Sequence, residues 1–384
     1  MIPRPAAVIL AVLLGSTVAG CGAGSTPGGA EPHSGRSAAV DTKTPAPPAA
    51  TTSVRLGAET RLGLDGRPGP AALDGTTLAY PLGRDGRAWD RVVTVSLATG
   101  QSREVARTGF PGGFVNWVAV AGSWVVYVDQ SAKQSDADPE VLWRVVAVDP
   151  GSGHRLVLSS NADRPDPYVP IVQSGGGYVF WTQAEADRTA RELLWKPGLA
   201  KPRDVLRHTE MTPGSASVSR DGLVYLGAAA TGARGHTVGG DCWRVPLTGG
   251  TPEPLTHTAL AMDCVAGGDT VAWTLHIDPE VTPQPDDGIL DDPYELWART
   301  GDGEPRLLRR GYFPLTHPGV GGGYVAWQTY AQRLTVQSAA NPAARSLAPG
   351  KPVEQVLADG DNFVYITRDG SGDMAHVLAV PSVG

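Results

Sequence analysis

The chain has 384 residues, enough by length alone for two or three domains. Hydrophobic content is ordinary, Gly and Pro are abundant, and no long stretch after the N-terminus places apolar residues at helical spacing, so helix is expected to be nearly absent. The net charge of -7, with Arg commoner than Lys and no basic run, leaves no electrostatic footprint for nucleic acid and excludes it as a partner.

At the N-terminus, Arg4 precedes an uncharged apolar stretch, Ala6 to Gly20, that is too short for a comfortable membrane span and reads as a signal peptide over residues 1–20. Directly after it, Val18-Ala19-Gly20-Cys21 resembles the bacterial lipobox, in which small residues precede a Cys that is acylated and becomes the new N-terminus. The resemblance implies lipid chains on Cys21 and a protein anchored to the extracytoplasmic face of a cell membrane. Each buried methylene contributes about 0.8 kcal/mol, so more than one acyl chain is needed for stable anchoring. A plain secretory signal with an incidental Cys is the alternative. Residues 21–52 are rich in Gly, Ala, Pro, Ser and Thr and read as a disordered tether, with an average reach of roughly 30 Å.

The body, residues 53–384, carries seven short apolar runs, each with an aromatic residue and each entered through a Gly- or Asp-rich turn. They begin at Gly75, Gly122, Gly177, Gly222, Gly268, Gly323 and Asp361 and end at Tyr80, Tyr127, Trp181, Tyr225, Trp273, Trp327 and Tyr365. A period of roughly 45 to 50 residues is the mark of a repeat architecture. The expected fold is all-β, a single seven-bladed β-propeller; six blades with one miscounted strand is the alternative. The last unit runs out after one strand beyond Val364, whereas the alternating segment from Ser53 to Leu64 belongs to no unit. It is expected to pair with the C-terminal blade and close the ring, because an unpaired edge is a liability.

In the fourth unit, Ser219-Arg220-Asp221-Gly222 leads into Leu223-Val224-Tyr225, then Cys242-Trp243, the turn Thr248-Gly249-Gly250, and Leu255-Thr256. This order resembles the propeller repeat of the TolB family, with echoes at Leu142-Trp143, Leu194-Trp195 and Leu296-Trp297. The resemblance implies a fold and no particular activity. With Cys21 set aside for lipid, Cys242 and Cys264 remain as an even pair in an oxidising compartment. They fall on the Trp strand of one blade and the innermost strand of the next and are expected to form a disulfide, which for a loop of some 20 residues contributes about 3 kcal/mol. Two buried free thiols are the alternative.

Connections between the aromatic and Trp strands are long in several units, at Asp129–Pro139, Thr182–Arg191, Gly227–Gly240 and Leu275–Asp292. Because successive strands alternate in direction, these loops emerge on one face with the connections between blades, and long loops on a rigid scaffold are where binding residues usually sit. Two features of that face are candidate sites. Asp278, Glu280, Asp286, Asp287, Asp291 and Asp292 crowd one loop and offer hard oxygen ligands for Ca²⁺, although their order does not match the EF-hand loop and a solvated charge run is the plainer reading. His208 and His257 follow the outer strands of adjacent blades and should point to the same rim, as metal ligands, as an acid–base pair, or simply as surface histidines.

No nucleophile elbow, zincin helix, Walker loop, C-x-x-C or sialidase-like Asp box is present, so no catalytic residue is assigned. The expected function is a monomeric, lipid-anchored, non-catalytic binding or scaffold module for a protein or cell-envelope glycan, with no required cofactor. The alternative is a secreted polysaccharide-active enzyme, a glycosidase or lyase, with acidic and His residues converging on the central channel.

Overall fold

The computed structural model describes residues 56–379 apart from 84–87, 133–140, 164–167, 186–188, 209–215, 228–239, 277–292, 313–316, 329–333, 342–343, 348–350 and 370–371. All of the described residues fall within one unit, Pro48–Gly384. They form an all-β structure of seven antiparallel sheets, the blades of a propeller, with no helix among them.

Blade 1 comprises Ala72–Asp74, Thr77–Gly83, Trp89–Ser96 and Ser102–Arg107, with the two-residue strand Arg67–Pro68 extending its inner edge. Blade 2 runs Phe114–Ala121, Trp124–Gln130, Trp143–Val148 and Arg155–Ser160; blade 3 runs Val172–Gly175, Tyr178–Ala184, Ala190–Trp195 and Arg203–His208. Blade 4 runs Ala216–Val218, Leu223–Gly227, Asp241–Val245 and Glu253–Pro254; blade 5 runs Ala261–Gly267, Thr270–His276, Pro293–Thr300 and Arg306–Tyr312. Blade 6 runs Gly319–Gly321, Tyr324–Gln328, Leu334–Ser338 and Ala344–Leu347. Blade 7 takes three strands from the C-terminal end, Val353–Asp359, Asn362–Asp369 and Gly372–Ala379, and its fourth, Thr60–Gly63, from the start of the body.

The seven aromatic runs are the second strands of the seven blades. They are rich in β-branched and aromatic residues suited to a pleated surface packed on both sides. Their aromatics sit between blades: Tyr80, Tyr127 and Trp181 are at most 1% exposed, and Trp273, Trp327 and Tyr365 are also buried. One cluster joins Val126, Val128, Trp143 and Val145 of blade 2 to Val179, Trp181, Leu193 and Trp195 of blade 3. Another joins Ala272, Leu296 and Ala298 of blade 5 to Val320, Val325 and Trp327 of blade 6.

Antiparallel order fixes two faces. Turns from first to second strand and from third to fourth emerge on one, the turn face; connections from second to third strand and from blade to blade emerge on the other, the loop face. On the turn face the blades approach closely. A Cβ on Gly267 would lie 2.0 Å from the Val320 carbonyl oxygen, so the contact between blades 5 and 6 requires glycine there.

The ring closes as the sequence implies. Thr60, Arg61, Leu62 and Gly63 pair antiparallel with Val377, His376, Ala375 and Met374, and the amides of Gly57 and Leu64 extend the ladder to the carbonyls of Ala379 and Asp373. Leu64 enters the cluster between blades 7 and 1 with Leu73, Leu78, Leu82, Val364 and Ile366. Cys242 and Cys264 form the disulfide, with Cα atoms 5.8 Å apart, from the third strand of blade 4 to the inner strand of blade 5.

Candidate functional site

The connections of the loop face are braced from beneath by buried polar side chains. At the end of the second strand of blade 2, Asp129 is fully buried and accepts from Thr108 Oγ1 at 2.6 Å and from the Gly109 amide, fixing the passage from blade 1. Arg144 closes on the same carboxylate at 2.6 Å and lies over the Phe110 ring, 4.8 Å from its centroid. Asn161 plays a comparable part after the outer strand of blade 2, accepting from the Trp143 amide and donating to the Val141 carbonyl, both at 2.7 Å. In blade 4 the fully buried Asp241 takes three donors, Thr256 Oγ1 and the amides of Thr258 and Ala259. Ala259 has a φ of 55°, and this carboxylate offsets the cost of that unusual backbone. Each of these groups satisfies backbone donors or acceptors that a loop would otherwise leave to solvent, so this face is preorganised where it is described.

On this scaffold large apolar side chains stand out to solvent. Tyr168 and Ile171, 56% and 42% exposed, lie between blades 2 and 3; Leu260 lies between blades 4 and 5; Leu142 precedes the third strand of blade 2. These are four of the five exposed large hydrophobics among the described residues, and all four are on the loop face; the fifth, Val157, is on the outer strand of blade 2.

Blade 5 also brings an acidic residue and a histidine together near the loop-face end of its inner strand. A bulge between Ala261 and Asp263 changes the parity of this strand. Ala261 and Cys264 therefore both pack toward blade 4, and Asp263 and Val265 turn toward blade 6. Asp263 is 3% exposed, and its Oδ2 lies 2.9 Å from Nδ1 of His317, at the entrance to the inner strand of blade 6. The His317 side chain is 79% exposed. The bond from Asp263 raises the imidazole above its ordinary range, since a buried carboxylate favours the charged ring. No sequence signal joined these residues, which are 54 positions apart.

Of the histidines singled out in the sequence, His257 is exposed on the loop face just after the outer strand of blade 4. His208 ends the outer strand of blade 3 opposite Ala190, and its side chain is outside the described residues. The carboxylates Asp278, Glu280, Asp286, Asp287, Asp291 and Asp292 also lie outside the described residues, as does Cys21. Among the described residues no group of three His, Cys, Asp or Glu side chains is placed to hold a metal ion.

No protein-family model matches the sequence, and comparison with curated proteins finds no match. Solved structures do resemble it in fold. The β-propeller domain of the Trilobed protease from Pyrococcus furiosus, described as having an open velcro topology, aligns over 83% of this chain and 94% of its own length, with 9% identity and a TM-score of 0.58. A prolyl endopeptidase aligns over 80% of this chain with 15% identity and a TM-score of 0.54; an acylaminoacyl peptidase aligns over 80% with 10% identity and a TM-score of 0.53. The chain spans only about half the length of these two peptidases, 46% and 51%. An oligogalacturonate lyase in complex with manganese aligns over 84% of this chain and 91% of its own, with 11% identity and a TM-score of 0.50. At these identities the likeness is one of fold.

Proposed function

We propose that this protein is an extracytoplasmic, lipid-anchored β-propeller of TolB-like type that binds a protein or cell-envelope ligand through its loop face. The observation that carries the reading is the segregation of exposed apolar side chains: Tyr168, Ile171, Leu142 and Leu260 all stand on the face with the longest connections. Exposed apolar groups gathered on one face mark interaction surfaces more often than chance scatter does. Direction of the chain adds support. The closing strand Thr60–Gly63 runs from the turn face toward the loop face, so its first residue lies at the end opposite the apolar residues. With Cys21 acylated and residues 21–52 acting as a tether, the loop face is free to search for ligand. The disulfide suits an oxidising compartment. In this reading the protein works as a monomer, with the membrane as partner through the lipid, and needs no cofactor; Ca²⁺ on the 278–292 carboxylates is a separate question for calorimetry.

The test is retention of partners from cell-envelope extract by the body from residue 53, beside a variant carrying Tyr168→Ser and Ile171→Ser. Retention by the parent and its loss in the variant is the expected result; equal retention, or none by either, counts against the loop face. A second reading, a polysaccharide-active enzyme with its site at the channel, is favoured by the convergence of Asp263 and His317. Release of reducing or unsaturated ends from envelope polysaccharide, abolished in His317→Gln, would favour it over binding alone.

A further inference from the structure

The junction of blades 5 and 6 on the loop face brings a buried carboxylate, a buried hydroxyl and an exposed imidazole together. Asp263 and Thr274 are directly opposite each other on the first two strands of blade 5, so their side chains share the sheet face turned toward blade 6. Thr274 is 1% exposed, and its Oγ1 has no hydrogen-bond partner among the described residues. His317 reaches across from blade 6 and engages Asp263 through Nδ1; the side chain is exposed, and Nε2 has no partner among the described residues. The backbone around this point is tied down: Cys264, next to Asp263, is in the disulfide, and the His276 amide donates to the Leu260 carbonyl at 3.0 Å.

The geometry points to an oxyanion-binding site at this junction, with His317 as the group that contacts the ligand and Asp263 as its positioning residue. The ligand class is a phosphate or carboxylate group borne by an anionic envelope polysaccharide. This assignment deepens the binding reading of the loop face and rests on it for the source of the ligand. A carboxylate removed from water favours a cationic partner, and the imidazolium is one that the structure supplies. With its carboxylate engaged by Nδ1 and buried behind the ring, Asp263 does not present itself to a cation from solvent. What faces outward is an Nε2–H donor on a charged ring, and charge-assisted bonds to anionic oxygen are roughly twice as strong as neutral ones. The upward shift of the His317 pKa, caused by Asp263, keeps that donor charged over a wider range of pH. The buried Thr274 hydroxyl, opposite Asp263 on the neighbouring strand, has no partner among the described residues.

The test uses the full chain purified in detergent and labelled at the histidine rings, with inorganic phosphate and glucuronate as separate probes followed by the ring resonances. A saturable shift at His317, absent from His154 and His376, is expected with at least one probe. Response to phosphate alone favours a phosphate-bearing ligand, and response to glucuronate alone a carboxylate-bearing one. Calorimetry with the responding probe should show binding lost in His317→Gln. In Asp263→Asn it should weaken by about tenfold, because the ring loses the carboxylate that orients it and favours its charged form, and the His317 midpoint should fall toward that of a free imidazole. Uniform shifts of all rings, no saturation, or unchanged affinity in His317→Gln would overturn the site. These readouts use purified protein and simple anions, so they stand or fall apart from capture of an envelope partner.

Discussion

The seam between blades 7 and 1 and the seam between blades 4 and 5 join neighbouring blades by different means. Between blades 4 and 5, one covalent bond links Cys242 to Cys264 across a sequence separation of 22. Between blades 7 and 1 the contact unites the two ends of the body, and many weaker interactions act together. Gln355 of blade 7 fills the interruption in the inner strand of blade 1, accepting from the Ala71 amide at 2.8 Å and donating to the Gly69 carbonyl at 3.1 Å. Asp359 accepts from the Gly75 amide at 2.6 Å, and Asn362 donates to the Gly75 carbonyl. Within blade 7, Glu59 secures the entering strand: its Oε1 takes Arg61 Nε at 2.6 Å and lies 2.9 Å from His376 Nδ1, and its Oε2 takes the Tyr365 hydroxyl at 3.0 Å. The His376 ring is stacked on Tyr365, with centroids 4.4 Å apart, and its Nε2 lies 2.9 Å from Thr367 Oγ1. A covalent link acts mainly by restricting the unfolded chain, whereas the closing strand must be present for the native ring to have no open edge.

Removing residues 1–66 should therefore do the greatest damage. It deletes the fourth strand of blade 7, the Glu59 contacts and Leu64, and exposes the edge Gly372–Ala379. A loss of about 5 kcal/mol or more is expected from one buried leucine and a strand's worth of hydrogen bonds. Urea unfolding of this variant beside a body starting at residue 53 measures it; coincident transitions would mean that the strand is ornamental. The disulfide comes next. Cys242→Ala combined with Cys264→Ala should lower stability by about 3 kcal/mol, with reductant lowering the parent to a similar extent. A variant as stable as the oxidised parent would place the strength of that seam in its apolar cluster instead.

Glu59→Gln should have a smaller effect, about 1–2 kcal/mol, because the glutamine keeps some hydrogen bonding and the site is partly open to solvent. Burial opposes ionisation of Glu59, but the bonds from His376, Arg61 and Tyr365 outweigh it and lower its pKa to about 2. A carboxylate depressed in the folded state contributes stability above its unfolded pKa and loses it as pH falls toward the folded value. The parent should thus weaken between about pH 4.5 and 2 through this group, and Glu59→Gln should show a flatter acid limb. An unchanged limb would remove Glu59 from the account of closure.

The sequence shows these two seams unequally. The disulfide was legible because cysteine is scarce and its two positions fell on neighbouring blades. The closing strand was legible because the repeat left one strand short at the end and one extra at the start. What the strand is held by was not. Glu59 meets Tyr365 and His376 across separations of 306 and 317 residues, which no local pattern records. The outer strand of blade 4 is only two residues, Glu253–Pro254, preceded by Pro252, since a proline has no amide to donate to the ladder. Asp263 was hidden by the bulge before it. Strict alternation counted from Ala261 would point Asp263 at blade 4, and one extra residue turns it to His317.

Asp74 offers the finest division of the closing seam, because its titration runs against that of Glu59. It lies at the turn-face end of the inner strand of blade 1 and accepts from the Gly122 amide of blade 2. Burial raises its pKa; the neighbouring Asp359 adds to the rise, and the Gly122 amide works against it. A carboxyl raised in the folded state binds its proton more tightly there, so it adds stability as pH falls and loses that advantage as pH rises through the carboxylate range. In Asp74→Asn the amide oxygen can still accept from Gly122 and the repulsion from Asp359 is gone, so stability at neutral pH should stay within about 0.5 kcal/mol of the parent or rise slightly. Its acid limb should be steeper than the parent's, because the opposing contribution has been removed, while that of Glu59→Gln is flatter. Thermal unfolding of the two variants from neutral to acid pH reads the two slopes directly. If both change in the same direction, the two carboxylates do not have opposite linkage, and closure of the ring depends on pH through some other group.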